Sequence, residues 1–256
     1  MREILRLNNV SLTYQAENGE VAALEDISFT AGEGELIAIV GPSGCGKSTL
    51  LSIISGLVTP TVGEALIGGE GVDGVSEKIG YMLQKDNLLD WRSIYSNVLL
   101  GLEIRSMLTK ENIAYVDSLL KTYGLYEFRD KYPSQLSGGM RQRAALIRTL
   151  ATRPELLLLD EAFSALDYQT RLVVTEDVFG ILRNEKKTAL IVTHDISEGI
   201  SMSDRVVVLT ERPGRIRAIH NIEFGTEGDI APLERRNRSS FREYFNLIWK
   251  ELDIHV

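Results

Sequence analysis

The sequence predicts an α/β fold with a mainly parallel sheet core, an antiparallel β subdomain near the N-terminus and a helical insertion. The parallel core is indicated by continuous apolar runs, which are typical of strands buried on both faces. Segments with helical periodicity separate the runs, as connections between parallel strands require. The runs are ELIAIV (35–40), ELLLLD (155–160), TALIVT (188–193) and RVVVL (205–209).

The N-terminal β subdomain is indicated by apolar residues that alternate with other residues. A period of two is typical of strands buried on one face, as in an antiparallel sheet. The alternating residues are Leu5 and Leu7, then Val10, Leu12 and Tyr14, and finally Ile27 and Phe29.

Helical periodicity marks three internal segments and the tail. The internal segments follow Gly46 (Leu50, Leu51, Ile53, Ile54, Leu57), cover 110–123 before a capping Gly124 (Ile113, Val116, Leu120, Tyr123), and cover 140–151 (Met140, Ala144, Ile147, Ala151). The tail from Ser239 places Phe241, Phe245, Ile248 and Leu252 on one face. We interpret this tail as a docked core helix rather than a partner-binding helix.

These patterns predict one domain over residues 1–256. Residues 86–152 show helices but no convincing strand, which indicates a helical subdomain inserted into the sheet. The α/β core, with its antiparallel β subdomain, then covers 1–85 and 153–225. A helical tail covers 226–256.

The composition argues against a nucleic-acid partner. The formal net charge is −8, and the cluster Arg235, Arg236 and Arg238 is short enough to be a solvated patch. The sole cysteine, Cys45, fits a reducing compartment. The N-terminus does not resemble a secretory signal, and no run approaches the ~18 apolar residues of a membrane span. We expect a cytoplasmic protein whose membrane role comes through a partner.

The segment GPSGCGKS (41–48) matches the phosphate-binding loop pattern G-x-x-x-x-G-K-[ST]. It lies between a predicted strand and a predicted helix, a setting that an ordinary glycine-rich turn does not require. Lys47 is expected to reach the β- and γ-phosphates of a nucleotide, and the Ser48 hydroxyl to bind Mg²⁺. Cys45 lies inside this loop, either as a small residue that fills space or as a site for chemical blockade. The candidate nucleotide-binding residues are Gly41, Pro42, Ser43, Gly44, Cys45, Gly46, Lys47, Ser48 and Thr49.

Two adjacent carboxylates follow the leucine run of 155–160. Asp160 ends the predicted strand, at the edge where α/β proteins bind ligands, and is a candidate Mg²⁺ ligand. Glu161 is placed to orient and deprotonate the water that attacks a γ-phosphate. A charged strand end facing solvent is the alternative, which the phosphate loop disfavours.

A second anion-binding helix start is indicated by LSGGMRQR (136–143). Ser137 is a good N-cap, and Gly138 and Gly139 expose the backbone to a close approach. Alone this signal is weak, because Ser-Gly-Gly is also typical of an ordinary loop.

Together these motifs resemble those of the ATP-binding subunit of ABC transporters over nearly the whole chain. In that family LSGG completes the ATP site of the opposite subunit in a head-to-tail dimer. The resemblance implies ATP and Mg²⁺ as cofactors, with Lys47, Glu161 and His194 as catalytic residues. It further implies that Tyr14 stacks on adenine, Gln84 (in YMLQKD) senses Mg²⁺ and γ-phosphate, Asp167 (in SALD) crosses the dimer interface, and His194 (in IVTHD) grips the γ-phosphate. Met140 departs from the family, which often has Gln there.

The resemblance also implies partners. These are a second copy of the chain or a closely related ATPase subunit, transmembrane permease subunits at the cytoplasmic face of the membrane, and indirectly a substrate-binding protein. NLLDWRSIYSNV (87–98), ERPGRI (211–216) and the tail resemble importers of nitrate, sulfonates and taurine. Importers of thiamine or pyrimidine precursors share much of these segments, so the substrate stays open.

Trp91 is a candidate anchor for the permease, with Leu88 and Leu89 beside it. The alternative is that all three pack inside the helical insertion.

Other protein classes fit less well. A chromosome-maintenance ATPase would need a long coiled-coil insertion, and this helical insertion is far too short. A translation-associated relative would have two ATP cassettes, whereas the phosphate loop occurs once here. A small-molecule kinase has no use for LSGG.

Overall fold

The computed structural model describes residues 2–16, 19–225 and 230–252. Four strands form an antiparallel sheet in the order β2-β1-β4-β5. This sheet confirms the predicted N-terminal β subdomain, although β4 and β5 were not foreseen. The strands are β1 (Glu3–Ala16), β2 (Gly19–Gly32), β4 (Val62–Ile67) and β5 (Glu70–Gly71).

A second sheet of six strands has the order β10-β9-β3-β8-β7-β6. Five of its strands run parallel, and only β10 is antiparallel to its neighbour. The four apolar runs of the sequence form β3 (Leu36–Val40), β7 (Leu156–Asp160), β8 (Thr188–Val192) and β9 (Arg205–Leu209), as predicted. The sequence patterns did not identify β6 (Ile79–Met82) or β10 (Ile216–Asn221).

Eight α-helices connect and cover the strands of the described residues. The helix after Gly46 is shorter than predicted: it ends at Ile54, so Leu57 lies outside it and is exposed. Gly56 explains the stop, because its φ of +76° is a left-handed conformation that leaves the helix. The helices are α1 (Lys47–Ile54), α2 (Ile94–Ile104), α3 (Lys110–Thr122), α4 (Gly138–Leu150), α5 (Tyr168–Asn184), α6 (Ile196–Met202), α7 (Pro232–Arg236) and α8 (Ser239–Glu251).

The continuous apolar strands are explained by packing on both faces of the second sheet. In β7, Leu157 and Leu159 face the cluster formed with α2 to α5, whereas Leu156 and Leu158 face the cluster formed with α1 and the antiparallel sheet. A strand covered on both faces has no side for polar residues, so its apolar run is unbroken.

The C-terminal helix α8 is docked, as predicted. Its apolar face belongs to a cluster with α6, with one face of strands β3 and β9, and with Phe224. The residues on that face are Phe241, Tyr244, Phe245, Ile248, Trp249 and Leu252.

The interpretation of the arginine cluster as a solvated patch is wrong for Arg235, whose side chain is buried. Its guanidinium donates to the carbonyl oxygens of Ile230 (2.8 Å) and Ser203 (2.9 Å) and lies over the ring of Phe179. Backbone carbonyls and an aromatic face thus take the place of water around this charge.

Within residues 2–16, 19–225 and 230–252, none of the helices combines the length and the apolar character needed to traverse a bilayer.

Docking of α8 predicts a contrast between two neighbouring residues. Ile248→Ala should lower the free energy of unfolding by about 2–5 kcal/mol, because the side chain is 0% exposed. Leu247→Ala, a matched control that is 44% exposed, should cost less than about 0.5 kcal/mol. Urea unfolding measures both, and equal losses would contradict the docked orientation.

Candidate functional site

The carboxyl ends of three parallel strands meet at one edge of the second sheet. The central strand β8 fixes their register, because Val192 pairs near Ile39 of β3 on one side and Asp160 of β7 on the other. The loops after β3, β7 and β8 therefore begin at the same level. Ligands of open α/β sheets bind at this edge.

A cavity of about 510 Å³ opens there. Most of its lining comes from the loop and helix that follow β3, and single residues from three other segments complete it. The lining residues are Ser43, Gly44, Gly46, Lys47, Ser48, Thr49, Glu161, His194 and Arg212. All except Arg212 are predicted site residues. The sequence does not single out Arg212 as a site residue, because its segment, ERPGRI, only resembles importer subunits and contains no nucleotide-binding motif.

The loop between β3 and α1 curls because two of its glycines are left-handed. Gly44 has φ +77° and Gly46 φ +106°, which side chains disfavour. Gly46 also lies close to β2, where a Cβ would come within 2.9 Å of the Ala23 carbonyl oxygen. This loop leads directly into the N-terminus of α1, whose free N–H groups and dipole favour an anion.

The Lys47 ammonium is held over the same loop. It donates to the carbonyl oxygens of Gly41 (2.8 Å) and Pro42 (2.9 Å). Its position is therefore fixed by the backbone rather than by a flexible side-chain conformation. The loop thus combines the positive charge of Lys47 with the N-terminus of α1, and both favour a bound phosphate.

Ser48 and Asp160 are brought together as predicted. The Ser48 hydroxyl donates to Oδ1 of Asp160 (3.2 Å), and Tyr81 of β6 donates to Oδ2 (3.2 Å). Burial raises the pKa of Asp160 above its ordinary value, while these two hydrogen bonds oppose the shift. Tyr81 was missed because its strand was missed.

Glu161 and His194 also meet, with Oε2 and Nδ1 3.3 Å apart. Glu161 has φ +46°, a conformation that costs a non-glycine residue about 1–2 kcal/mol. Its backbone is held there by hydrogen bonds from its N–H to Val192 (2.9 Å) and from Ser164 N–H to its carbonyl (3.0 Å). The strained turn aims the carboxylate at the histidine.

Gln84 lies on the far side of this turn. Its amide nitrogen donates to the Ser164 hydroxyl (3.1 Å), which in turn donates to the Glu161 carbonyl (2.9 Å). Gln84 is thus connected to the backbone of Glu161 through one side chain.

Tyr14 and Asp167 occupy positions outside the cavity lining. Tyr14 is exposed on β1 opposite Val21. Asp167 is the N-cap of α5 and accepts from the Thr170 N–H (3.1 Å). Hydrogen bonds from the side chain and then the backbone of Thr170 lower the pKa of the Asp167 carboxyl. Asp167 therefore has a structural role in the single chain.

The LSGG segment begins α4, with Ser137 as N-cap accepting from the Met140 N–H (3.3 Å). Neither Ser137 nor the two glycines are among the described residues that line the cavity of the phosphate loop. Gly139 also has a packing role, since a Cβ there would come within 2.9 Å of Val174 on α5. The two predicted anion-binding segments therefore begin two different helices of one chain, and only the first lines this cavity.

Of the two alternatives for Cys45, the structure supports a residue that fills space in the phosphate loop and contradicts an accessible site for chemical blockade. Cys45 is buried, and its side chain belongs to the apolar cluster beneath the loop. Its sulfur packs so closely under Gly41 that a Cβ on that glycine would come within 2.8 Å of it. Burial raises the pKa of the thiol. An alkylating reagent therefore meets neither an exposed sulfur nor a readily formed thiolate.

Behind His194, helix α6 buries an ionisable side chain. Burial raises the pKa of Glu198 to about 7, and the charge of Asp195 adds to this shift. A hydrogen bond with Thr193 and the charges of Arg171 and Arg236 oppose it.

The fold and the site define a nucleotide-binding α/β protein with a phosphate loop. Comparison with known proteins shows a match to the family described as ABC transporter over residues 24–164. The chain belongs to this family, as an ABC ATPase subunit that binds ATP. The predicted fold and family are confirmed.

Similar proteins cover almost the whole chain. An uncharacterized ABC transporter ATP-binding protein of Bacillus subtilis, YtlC, is 49% identical over 97% of this chain and 95% of its own length. The taurine import ATP-binding protein TauB of Roseobacter denitrificans is 36% identical over 96% and 94%. The aliphatic sulfonates import ATP-binding protein SsuB of Bacillus cereus is 36% identical over 93% and 91%.

Among solved structures, the chain is similar to a dimeric post-hydrolysis state of the ATP-binding cassette MJ0796 bound to ADP and Pi. The TM-score is 0.72 at 31% identity, covering 87% of this chain and all of that one. The ABC transporter component cbiO1 of Clostridium perfringens has a TM-score of 0.77 at 27% identity, covering 96% of each chain.

The buried acid Glu198 predicts a pH-dependent stability. Between pH 4.5 and about 7 the folded protein keeps a proton on Glu198 that the unfolded chain releases, so this group lowers stability as pH rises through that window. Glu198→Gln removes the effect. Relative to wild type, the variant should gain up to about 3 kcal/mol between pH 5 and pH 8.

Urea unfolding at the two pH values measures this gain. Glu243→Gln, an exposed change on α8, is the control and should show the same difference from wild type at both. A Glu198→Gln effect that is independent of pH would contradict the assignment.

Proposed function

We propose that this protein hydrolyses ATP between two copies of the chain and thereby powers a membrane importer. The observation that carries the proposal is the Glu161–His194 pair, 3.3 Å apart, on the cavity that Lys47 and Ser48 line. In this role the phosphates lie in the loop of residues 41–49, where the α1 N-terminus and Lys47 offset their charge.

The donor set fits Mg²⁺. Ser48 and Asp160 present two hard oxygen atoms 3.2 Å apart. The described residues contain no group of three acidic, His or Cys side chains that could hold a metal by themselves. Mg²⁺ is commonly held by one or two carboxylates plus water and phosphate oxygens. We propose Ser48 and Asp160 as ligands, with the amide oxygen of Gln84 as a third. The ion would supply neutralisation of charge on the phosphates.

Glu161 is the proposed general base. Its carboxylate points into the cavity from a strained turn, beyond the strand end where Asp160 stands, so the two acids separate the roles of metal ligand and base. His194 is partly fixed by Glu161 and is the proposed γ-phosphate ligand.

The second copy is proposed to supply Ser137, Gly138 and Gly139 to the γ-phosphate. Support comes from their separation from the phosphate loop in one chain and from the solved dimer of a similar cassette. The exposure of Tyr14 and Asp167 is compatible with adenine stacking and interface crossing. Binding of ATP would favour the closed dimer, and loss of the γ-phosphate would reopen it.

The proposed permease surface lies at the start of the helical subdomain, residues 86–152. Trp91 is 76% exposed, so the alternative that Trp91, Leu88 and Leu89 all pack inside the helical insertion is wrong. Of Trp91 and Leu88, only Leu88 is buried. We propose that Trp91 anchors a permease subunit at the cytoplasmic face of the membrane. In the proposed domain organisation, this helical subdomain is accompanied by the α/β core with its antiparallel β subdomain (1–85 and 153–225) and by the C-terminal helical tail (226–256).

The proposed cargo is a nitrate-, sulfonate- or taurine-like anion delivered by a substrate-binding protein. Two similar proteins are named for taurine and aliphatic sulfonates, which supports this class. Another small solute, such as a thiamine or pyrimidine precursor, is the alternative. Transport assays in vesicles containing the assembled importer, with a panel of binding proteins, separate the two. Failure of any transmembrane partner to co-purify with the protein would instead favour a non-transport ABC ATPase.

Loss of the proposed base gives a direct test. Glu161→Gln should lower kcat by about 10²–10⁴-fold, because the amide keeps the size but removes the basicity. ATP binding should persist, and the variant should accumulate as an ATP-bound dimer in size-exclusion chromatography.

Glu155→Gln is the matched control. Glu155 precedes the same strand at its opposite end, is also partly exposed and pairs with Arg2. Its change should leave kcat within about twofold of wild type. Near wild-type turnover of Glu161→Gln would exclude Glu161 as the principal base.

The two tryptophans should behave oppositely. Trp91→Ala should leave the melting temperature and basal ATPase unchanged but weaken co-purification with the permease, because a residue that is 76% exposed leaves no buried cavity when it is truncated. Trp249→Ala should lower the free energy of unfolding by about 3 kcal/mol, since its ring stacks on Phe245 within the docked α8 layer. A Trp91→Ala variant that assembles and transports normally would contradict the anchor.

A further inference from the structure

Arg171 lies in the first turn of α5, between two loops that leave the carboxyl edge of the parallel sheet. On one side its Nη2 donates to the carbonyl oxygen of Leu166 (3.0 Å) and lies 3.5 Å from that of Ser164. On the other side its Nη1 lies 3.8 Å from Oδ2 of Asp195. One guanidinium thus contacts both loops.

The first loop is the one that holds Glu161. Ser164 donates its hydroxyl to the Glu161 carbonyl (2.9 Å), and the Ser164 N–H bonds the same oxygen (3.0 Å). The positive φ of Glu161 makes this turn dependent on such contacts. Arg171 holds the turn from its C-terminal side, through the carbonyls of Ser164 and Leu166.

The second loop carries His194. Its ring is largely exposed and lies against Glu161, so its position depends on the backbone that carries it. The next residue, Asp195, is fixed at the N-terminus of α6, where Oδ1 accepts from the Ser197 N–H (2.8 Å) and the Glu198 N–H (3.2 Å). The other carboxylate oxygen faces Arg171.

We propose that Arg171 is a positioning residue that sets the distance between Glu161 and His194 by joining the loop of residues 164–167 to the turn at Asp195. A planar guanidinium suits this role, because its separate N–H groups reach a carbonyl and a carboxylate in fixed directions. This inference rests on the proposed function, since it assigns a partner to the proposed catalytic pair.

The test compares Arg171→Met with Arg205→Met. The two arginines have similar side-chain exposure, 21% and 22%, and each contacts a carbonyl and a carboxylate. Arg205 bonds the Thr30 carbonyl (3.0 Å) and Glu35 (3.0 Å) at the opposite end of the sheet. Arg171→Met should lower kcat for ATP about tenfold or more with KM changed less than about twofold, because misplaced catalytic groups slow chemistry without removing the phosphate loop. Arg205→Met should leave both constants near wild type.

A double-mutant cycle separates positioning from general stability. In single-turnover hydrolysis, Arg171→Met should cost less than about twofold once His194→Ala has removed the group it positions. Equal losses in both backgrounds, or a loss no larger than that of Arg205→Met, would overturn the proposal. If Arg171→Met does not fold, Arg171→Lys decides. Lysine keeps a positive charge opposite Asp195 but loses the separate N–H groups that reach the carbonyl oxygens. A kcat lower than that of wild type by up to tenfold supports the positioning role, and a kcat equal to that of wild type refutes it.

The wild-type protein distinguishes this inference from the function beneath it. Absence of ATP hydrolysis by wild type, with its permease present, would overturn the proposed function. An active wild type with an equally active Arg171→Met variant would overturn only the positioning role.

Discussion

The register of β8 against its two neighbours is the constraint on which the site depends. Val192 lies level with Ile39 on one side and Asp160 on the other, so three loops start at the same height above the sheet. A shift of one residue in either pairing would move a loop by about 3.3 Å and turn its side chains to the opposite face. Because β3, β7 and β8 are buried on both faces, packing of their apolar side chains opposes such a shift.

Much of this arrangement could be predicted from local patterns. Asp160, Glu161 and His194 stand out because each follows an apolar strand, and such strands end together in a parallel sheet. The phosphate loop is equally local, since its spacing is enough to place Lys47 and Ser48 at the start of a helix.

The rest depends on contacts between distant segments. Strand β6 is short and contains Gly80, which packs closely against α4, since a Cβ there would come within 2.6 Å of Thr149. Without β6, the hydrogen bond of Tyr81 to Asp160 could not be anticipated. Arg235 is charged in sequence but buried in the fold, since its acceptors are the carbonyls of Ile230 and Ser203. The inward thiol of Cys45 likewise follows from the packing beneath the loop.

Helix α5 connects the parts that local patterns leave separate. Val174 packs against Gly139, where no side chain larger than glycine's fits without a shift, so the start of α4 rests directly on α5. Asp167 caps the same helix, and Arg171 extends from its first turn to the loops of Glu161 and His194. Gly139, whose backbone is proposed to bind an anion, therefore also brings the start of α4 against the helix that contacts the loops of Glu161 and His194. The close packing of α4 on α5 and the proposed approach of a phosphate to the backbone thus both depend on the absence of a side chain at Gly139.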